Sequence, residues 1–353
     1  MLSRVAASVY WMARYIERAE NAARFIDVNL QMSLDSPITF SDQWQPLVAI
    51  TGDLRSFQER YDEANRENVI QFLTLDKENP NSILSCLSKA RENARSIREA
   101  ISSETWEQVN RFYLMVSHRA AGRRALEGST TFFSDVKLAS HLVSGIADNT
   151  TSHGEAWHFM ELGRLLERAD NTSRMLDVKY FLLLPSVEDV GGAVDEMQWS
   201  VLLRSATAFE MYRKKYGPIS PDNVVQFLLL DTEFPRAILF CLLHAESSLH
   251  AISGTIPGSY SNLAERRLGV LRSELAYAQV YDIITKGLHE FLDGLQTKLN
   301  GVGDAITQTF FTLQPAENGN SATAMGGPGG DVLSWNQSQG GSRRDRRFTG
   351  DLR

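Results

Sequence analysis

Two fifteen-residue stretches of this chain place the same charged groups at the same spacing. Tyr15-Ile-Glu-Arg-Ala-Glu-Asn-Ala-Ala-Arg-Phe-Ile-Asp-Val-Asn29 is followed 150 positions later by Leu165-Leu-Glu-Arg-Ala-Asp-Asn-Thr-Ser-Arg-Met-Leu-Asp-Val-Lys179. Seven positions are identical, and five of them are charged or amide residues: Glu17/Glu167, Arg18/Arg168, Asn21/Asn171, Arg24/Arg174 and Asp27/Asp177. On a helix, Arg14, Arg18 and Asn21 fall near one line, and Glu17 and Arg24 share the next. Arg164, Arg168, Asn171, Glu167 and Arg174 repeat that layout. Two arrangements satisfy it. Either the two helices exchange Glu–Arg pairs, so that each charge meets its counterpart, or the arginines face a cleft and hold a carboxylate or phosphate through forked hydrogen bonds. A third use, acid–base chemistry by Glu17 and Glu167, requires burial away from arginines to raise their pKa values.

A second basic group occurs once. Arg91, Arg95 and Arg98 share one helical face, followed by Trp106 and Asn110, whereas the corresponding residues later in the chain are Glu246, His250 and Ser253. A site built by one half of the chain would produce this asymmetry, and so would a solvated face paired with Glu92 and Glu99. Other signals are weaker. Glu155-Ala-Trp-His158 has the spacing of a di-iron helix, but such centres need the motif twice, so no metal site is expected. Cys86 and Cys241 lie on apolar helix faces and read as small hydrophobes. There is no glycine-rich phosphate loop, no Gly-x-Ser-x-Gly elbow and no Cys-x-x-Cys pair.

The elements that carry these groups are helices. Val9, Met12, Ile16, Ala19, Ala23, Ile26 and Leu30 recur at three- and four-residue intervals, predicting a helix from about Ser3 to Met32 that ends before Pro37. A second helix is predicted from near Asp42 through Leu47, Ile50, Leu54 and Phe57, and a third over Glu67–Leu75. Asn79 and Pro80 suit the cap and first turn of the next, which carries Ile83 to Ile97. Another follows Trp106, then a connection over Gly122–Gly128 and a helix over Phe132–Ile146. Asn68–Ala90 matches Asn223–Ala245 at fourteen of twenty-three positions, and the change of offset to 155 places an insertion in the loop Pro185–Gly192. The expected fold is all-α, a tandem duplication of a roughly 150-residue helical unit forming a pseudo-twofold bundle. Its repeats are expected over residues 1–150 and 151–313. Residues 314–353, rich in Gly, Ser and Arg, are expected to be a disordered tail.

Composition bounds the function. With 43% hydrophobic and 22% charged residues the chain can bury a core. A formal net charge of −7 argues against nucleic acid. Two cysteines make no disulfide framework and suit a reducing, cytoplasmic compartment. The apolar run Val5–Ala13 leads unbroken into the recurring helix, so it reads as part of the folded unit rather than as a leader. No stretch has the length of a membrane span.

Tyr10–Arg24, Trp157–Asp170 and Ala90–Arg98 together resemble the bacterial alpha-E family, named for its helices and Glu-Arg motif, and the resemblance extends over roughly residues 1–313. It implies an all-helical cytosolic protein encoded beside a circularly permuted ATP-grasp amide ligase, and often beside a transglutaminase-like cysteine peptidase. It implies no cofactor of the chain's own, with ATP entering through the ligase. On this resemblance the chain is expected to be an accessory or co-catalytic subunit in making or modifying a peptide-like amide. Its arginines would bind an anionic amino acid or peptide, and self-association is compatible with that role. The rivals are a stand-alone enzyme of amide or ring chemistry using Glu17 and Glu167, and a purely structural scaffold.

Overall fold

The computed structural model describes residues 1–35, 44–120, 129–181 and 192–312, and among them every regular element is helical. Two long helices form its axis: α1, Ser3–Asp35, and α8, Glu155–Phe181. At 33 residues α1 is about 50 Å long. Its apolar stripe Val9, Met12, Ile16, Ala19, Ala23, Ile26 and Leu30 is buried throughout, as the spacing predicts. The two helices pack directly on each other. Gly163 permits the approach, because a Cβ there would collide with the Tyr10 carbonyl oxygen.

The remaining helices wrap this pair. Helices α2 (Gln45–Thr51), α3 (Leu54–Gln58), α4 (Arg66–Thr74), α5 (Ile83–Ser96), α6 (Ser103–Ala120) and α7 (Ser129–Thr150) precede α8. Helices α9 (Ala193–Ser205), α10 (Phe209–Tyr216), α11 (Pro221–Leu230), α12 (Ile238–Ser253), α13 (Leu263–Ala276), α14 (Val280–Lys286) and α15 (Leu288–Ile306) follow it, and a π-helical turn covers Thr307–Phe311. Helices α5 and α7 pack on α1, while α12 and α15 pack on α8. The side chains between them form one continuous apolar core, in which a fully buried Leu or Phe such as Leu73, Phe72 or Phe227 contributes about 1.5–3 kcal/mol. Residues Met1–Leu313 make one compact unit. No helix among the described residues is long and apolar enough to cross a membrane.

Three sequence expectations change. The helix predicted from Asp42 to Phe57 is two helices, because Gly52 takes a left-handed backbone (φ 78°) and ends α2. Thr207, 155 positions on, breaks the chain between α9 and α10 in a similar conformation (φ 53°) that a β-branched residue rarely adopts. The cap of α5 is Ser82, whose hydroxyl accepts from the Ser85 amide at 3.2 Å, rather than Asn79. Asn79 holds the preceding turn, donating to the Phe72 carbonyl at 3.0 Å and accepting from the Asn81 amide at 2.9 Å. Helix α6 begins at Ser103, so Trp106 lies within it. The connection Gly122–Gly128, all but the last residue of the loop Pro185–Gly192, and the tail 314–353 lie outside the described residues.

Candidate functional site

The three- and four-residue spacing on α1 and α8 turns both sets of charged groups toward the contact between the helices. Glu167 receives Arg14 Nε at 2.7 Å, Arg18 Nε at 2.6 Å and Arg18 Nη2 at 3.0 Å. Glu17 receives Arg168 Nε at 2.9 Å and Nη2 at 2.8 Å, a forked pair, and Arg236 Nη1 at 3.1 Å. Glu167 is thus neutralised by two arginines of the opposite helix, and Glu17 by one from the opposite helix together with Arg236 from the turn before α12, which is the first of the two arrangements open to the sequence. Both carboxylates are about 2% exposed.

Around each pair stands a shell of polar side chains. Arg18 donates its Nη1 to Asn81 Oδ1 at 2.7 Å, and Asn81 donates to both oxygens of Asp53. On the other side Arg236 bonds Glu17, Asn21 and Glu20, and Glu20 also takes Arg24 and the Ser140 hydroxyl. Arg24 reaches Thr207 Oγ1 as well. Asn171 donates to the Glu167 carbonyl at 2.8 Å, holding the backbone rather than a side chain. Arg174 pairs with Asp170 at 2.8 Å. Arg164 departs from the pattern: it turns to Glu161 on its own helix, with Nε to Oε1 at 3.0 Å.

These contacts fix the protonation states. Burial works to raise both glutamate pKa values, but Arg168 and Arg236 around Glu17, and Arg18 and Arg14 around Glu167, outweigh it. Glu17 lies well below the usual carboxylate range, and Glu167 is held down at about 2. Acid–base chemistry would call for the reverse shift. Burial, against the pull of Glu17 and with the repulsion of Arg24, pushes the Arg236 guanidinium down to about 10, so it stays cationic at neutral pH. Burial likewise pushes the Cys86 and Cys241 thiols up to about 12, leaving both as packed, unreactive groups.

The one-sided basic group is not one helical face: Arg91 and Arg95 lie on α5, which ends at Ser96, and Arg98 stands in the turn that follows it, before α6. Arg91 Nε donates to Asn110 at 2.7 Å and Nη1 to Glu92 at 3.1 Å, and its guanidinium lies 5.1 Å from the Tyr113 ring centre. Arg95 pairs with Glu92 at 2.6 Å. Arg98 stacks on Trp106 at 4.2 Å. Glu155 and His158 join no metal-holding group, since no three His, Cys, Asp or Glu side chains converge among the described residues.

Sequence spacing singled out ten residues, of which Arg164 and Arg174 pair with Glu161 and Asp170 on their own helix, and it missed Arg236, Glu20, Asn81 and Asp53. Arg236 and Asn81 occupy equivalent positions in the matched stretches, each directly after a matched proline (Pro235, Pro80). The available signal was a charge difference at one position between otherwise similar turns.

Beside Glu17, between α1, α7 and α8, is a cavity of about 20 Å³ whose lining includes Arg164, Glu161 and Trp157. No solved structure matches this chain. It is 24% identical over 336 residues to uncharacterized proteins of Mycobacterium tuberculosis and Mycobacterium bovis. The alignment covers 88% of this chain and 37% of each relative, so the chain spans little more than a third of their length. Residues 1–311 match the profile of alpha-E, described as a predicted alpha-helical domain with a conserved ER motif. The match spans nearly all of the described residues, and the chain is a member of the alpha-E family.

Proposed function

We propose that this chain is an accessory subunit that works in the cytoplasm with an ATP-grasp amide ligase and presents an anionic amino acid or peptide for amide formation. The observation that carries this reading is the closure of the Glu-Arg network. Glu17 and Glu167 are held as permanent carboxylates by arginines, so the groups most regular in the sequence serve cohesion and leave binding to the surface. Among the accessible basic groups, Arg91, Arg95 and Arg98 are grouped over the aromatic rings of Tyr113 and Trp106. The greater length of the mycobacterial relatives supports the same reading, since there the helical unit accompanies other protein. We also read the chain as a tandem duplication with its halves about a pseudo-twofold axis. The reciprocal pairs Arg18 to Glu167 and Arg168 to Glu17 support that reading.

The test is to purify the chain with an ATP-grasp ligase encoded beside it and follow ATP consumption on an amino-acid panel, with each protein alone and with both. Product only with both supports the subunit role. Equal turnover by the ligase alone overturns it. Arg91→Ala/Arg95→Ala/Arg98→Ala should abolish the stimulation while leaving helicity unchanged.

A further inference from the structure

Helices α6 and α13 hold matching places in the fold, α6 beside α5 and α7, α13 beside α12 and α15, yet their outward faces differ. On α6 the exposed line is Glu104, Glu107, Arg111, Leu114 and His118, one leucine among four polar side chains. On α13 the exposed line is apolar at every seventh position: Leu263, Val270 (53% exposed) and, at the C-cap, Tyr277 (85%). Seven residues are nearly two turns, so the three stand along one edge of the helix. Tyr260 in the turn before α13 and Tyr281 on α14 add rings that are 63% and 79% exposed at its two ends. A row of large apolar side chains marks a surface made to be covered. The charges beside it are uneven. Arg266 lies 6.0 Å from the centre of the Tyr260 ring and has no carboxylate partner among the described residues. Arg267 donates to the Gly301 carbonyl at 2.7 Å. Toward the other end, Glu274 pairs with Lys298, both about half exposed.

We propose that this row is the contact by which a second copy of this chain docks, α13 against α13, antiparallel about a twofold axis at Val270. Leu263 and Tyr277 stand seven positions either side of Val270, and Arg266 and Glu274 four. A twofold contact makes every such pairing twice. Leu263 of each copy packs on Tyr277 of the other, Val270 meets Val270, and Arg266, which lacks a carboxylate, gains Glu274 of the other copy, with Arg267 one position away. A parallel pairing would instead set arginine against arginine and Glu274 against Glu274, which like-charge repulsion opposes. The area is sufficient. A tyrosine buries about 150–250 Å², so covering three largely exposed tyrosines with Leu263 and Val270 on both copies removes on the order of 1,000 Å² from water, the level a specific interface reaches. The contact uses neither the Glu-Arg network nor Arg91, Arg95 and Arg98, so it stands apart from the ligase reading.

The experiment is sedimentation velocity of the full chain across the micromolar range. The expected result is a concentration-dependent equilibrium between monomer and dimer. Val270→Asp sets two like charges at the twofold axis and should weaken association at least about a hundredfold. Arg266→Glu alone and Glu274→Arg alone should each weaken it roughly tenfold, and the two in one chain should restore it, because the pair re-forms with its ends exchanged. All three positions are exposed, and circular dichroism checks that each variant keeps its helices. A wild-type chain that stays monomeric throughout overturns the proposal. So does a dimer indifferent to Val270→Asp, which would lie on another face, and so does a double charge variant that associates more weakly than either single one, which would exclude the antiparallel register. A monomer whose co-purification with a ligase is lost on Val270→Asp would give the row to that partner and likewise overturn the docking of a second copy.

Discussion

The two glutamate environments start from the same residue pattern and end differently. Glu167 is saturated by two arginines of α1, and the arginine nearer the surface, Arg18, is braced by Asn81 and Asp53. Glu17 has one arginine from α8, and its second, Arg236, arrives from the turn before α12 and is shared with Glu20. The first environment is an ion triad, whereas the second is a longer chain of paired charges beside a cavity. The lesson concerns where variation is tolerated. Repeated Glu–Arg pairs join the helices in both environments, whereas the matched turn positions differ: Asn81 braces Arg18, and Arg236 bonds Glu17 itself.

The sharpest way to break the comparison is to remove each carboxylate. Glu167→Ala removes the buried carboxylate that Arg14 and Arg18 share, and should cost about 3–5 kcal/mol. Glu17→Ala leaves Arg236 with Glu20 and Asn21, so its cost should be smaller by chemical denaturation of the two variants. Equal losses would show that the two environments are energetically alike.

Acid provides the next comparison. A carboxyl whose folded pKa is depressed contributes stability that is present above its unfolded value and is lost as pH falls toward the folded value. For Glu167 that window runs from about 4.5 down to about 2, worth about 3 kcal/mol in all. Urea midpoints measured across it should fall steeply for the wild-type chain and more gently for Glu167→Gln. The same slope in both would place the acid sensitivity elsewhere.

Smaller effects sharpen the geometry. Gly163→Ala should cost about 1–3 kcal/mol, since the added methyl meets the Tyr10 backbone and pushes α8 from α1; an unchanged thermal midpoint would mean that the crossing yields easily. Arg236→Asn gives the Glu17 side the residue found on the Glu167 side. It should cost only about 1–2 kcal/mol, because Arg168 still forks onto Glu17 and Arg24 still holds Glu20. It should also draw Arg164 inward, which a crystal structure of the variant would reveal.

The helical class, the long α1, the repeated Glu-Arg faces and the inert cysteines were legible in the sequence because each depends on local periodicity or composition. The break at Gly52 escaped, since the apolar spacing runs on across it and only the left-handed backbone ends the helix. Arg236 escaped for a different reason. It stands 219 positions from Glu17, and no spacing rule relates a turn residue to a helix so distant. The choice between charges that face a cleft and charges that face each other was also beyond spacing, because both place the same residues on the same face of α1. Tertiary packing decided it: Gly163 lets the helices approach until the guanidiniums reach across, and a carboxylate buried at that crossing must keep the partner that neutralises it. The sequence by itself determined which side chains could pair, and only the tertiary structure decided that Arg14 reaches across while Arg164 turns away.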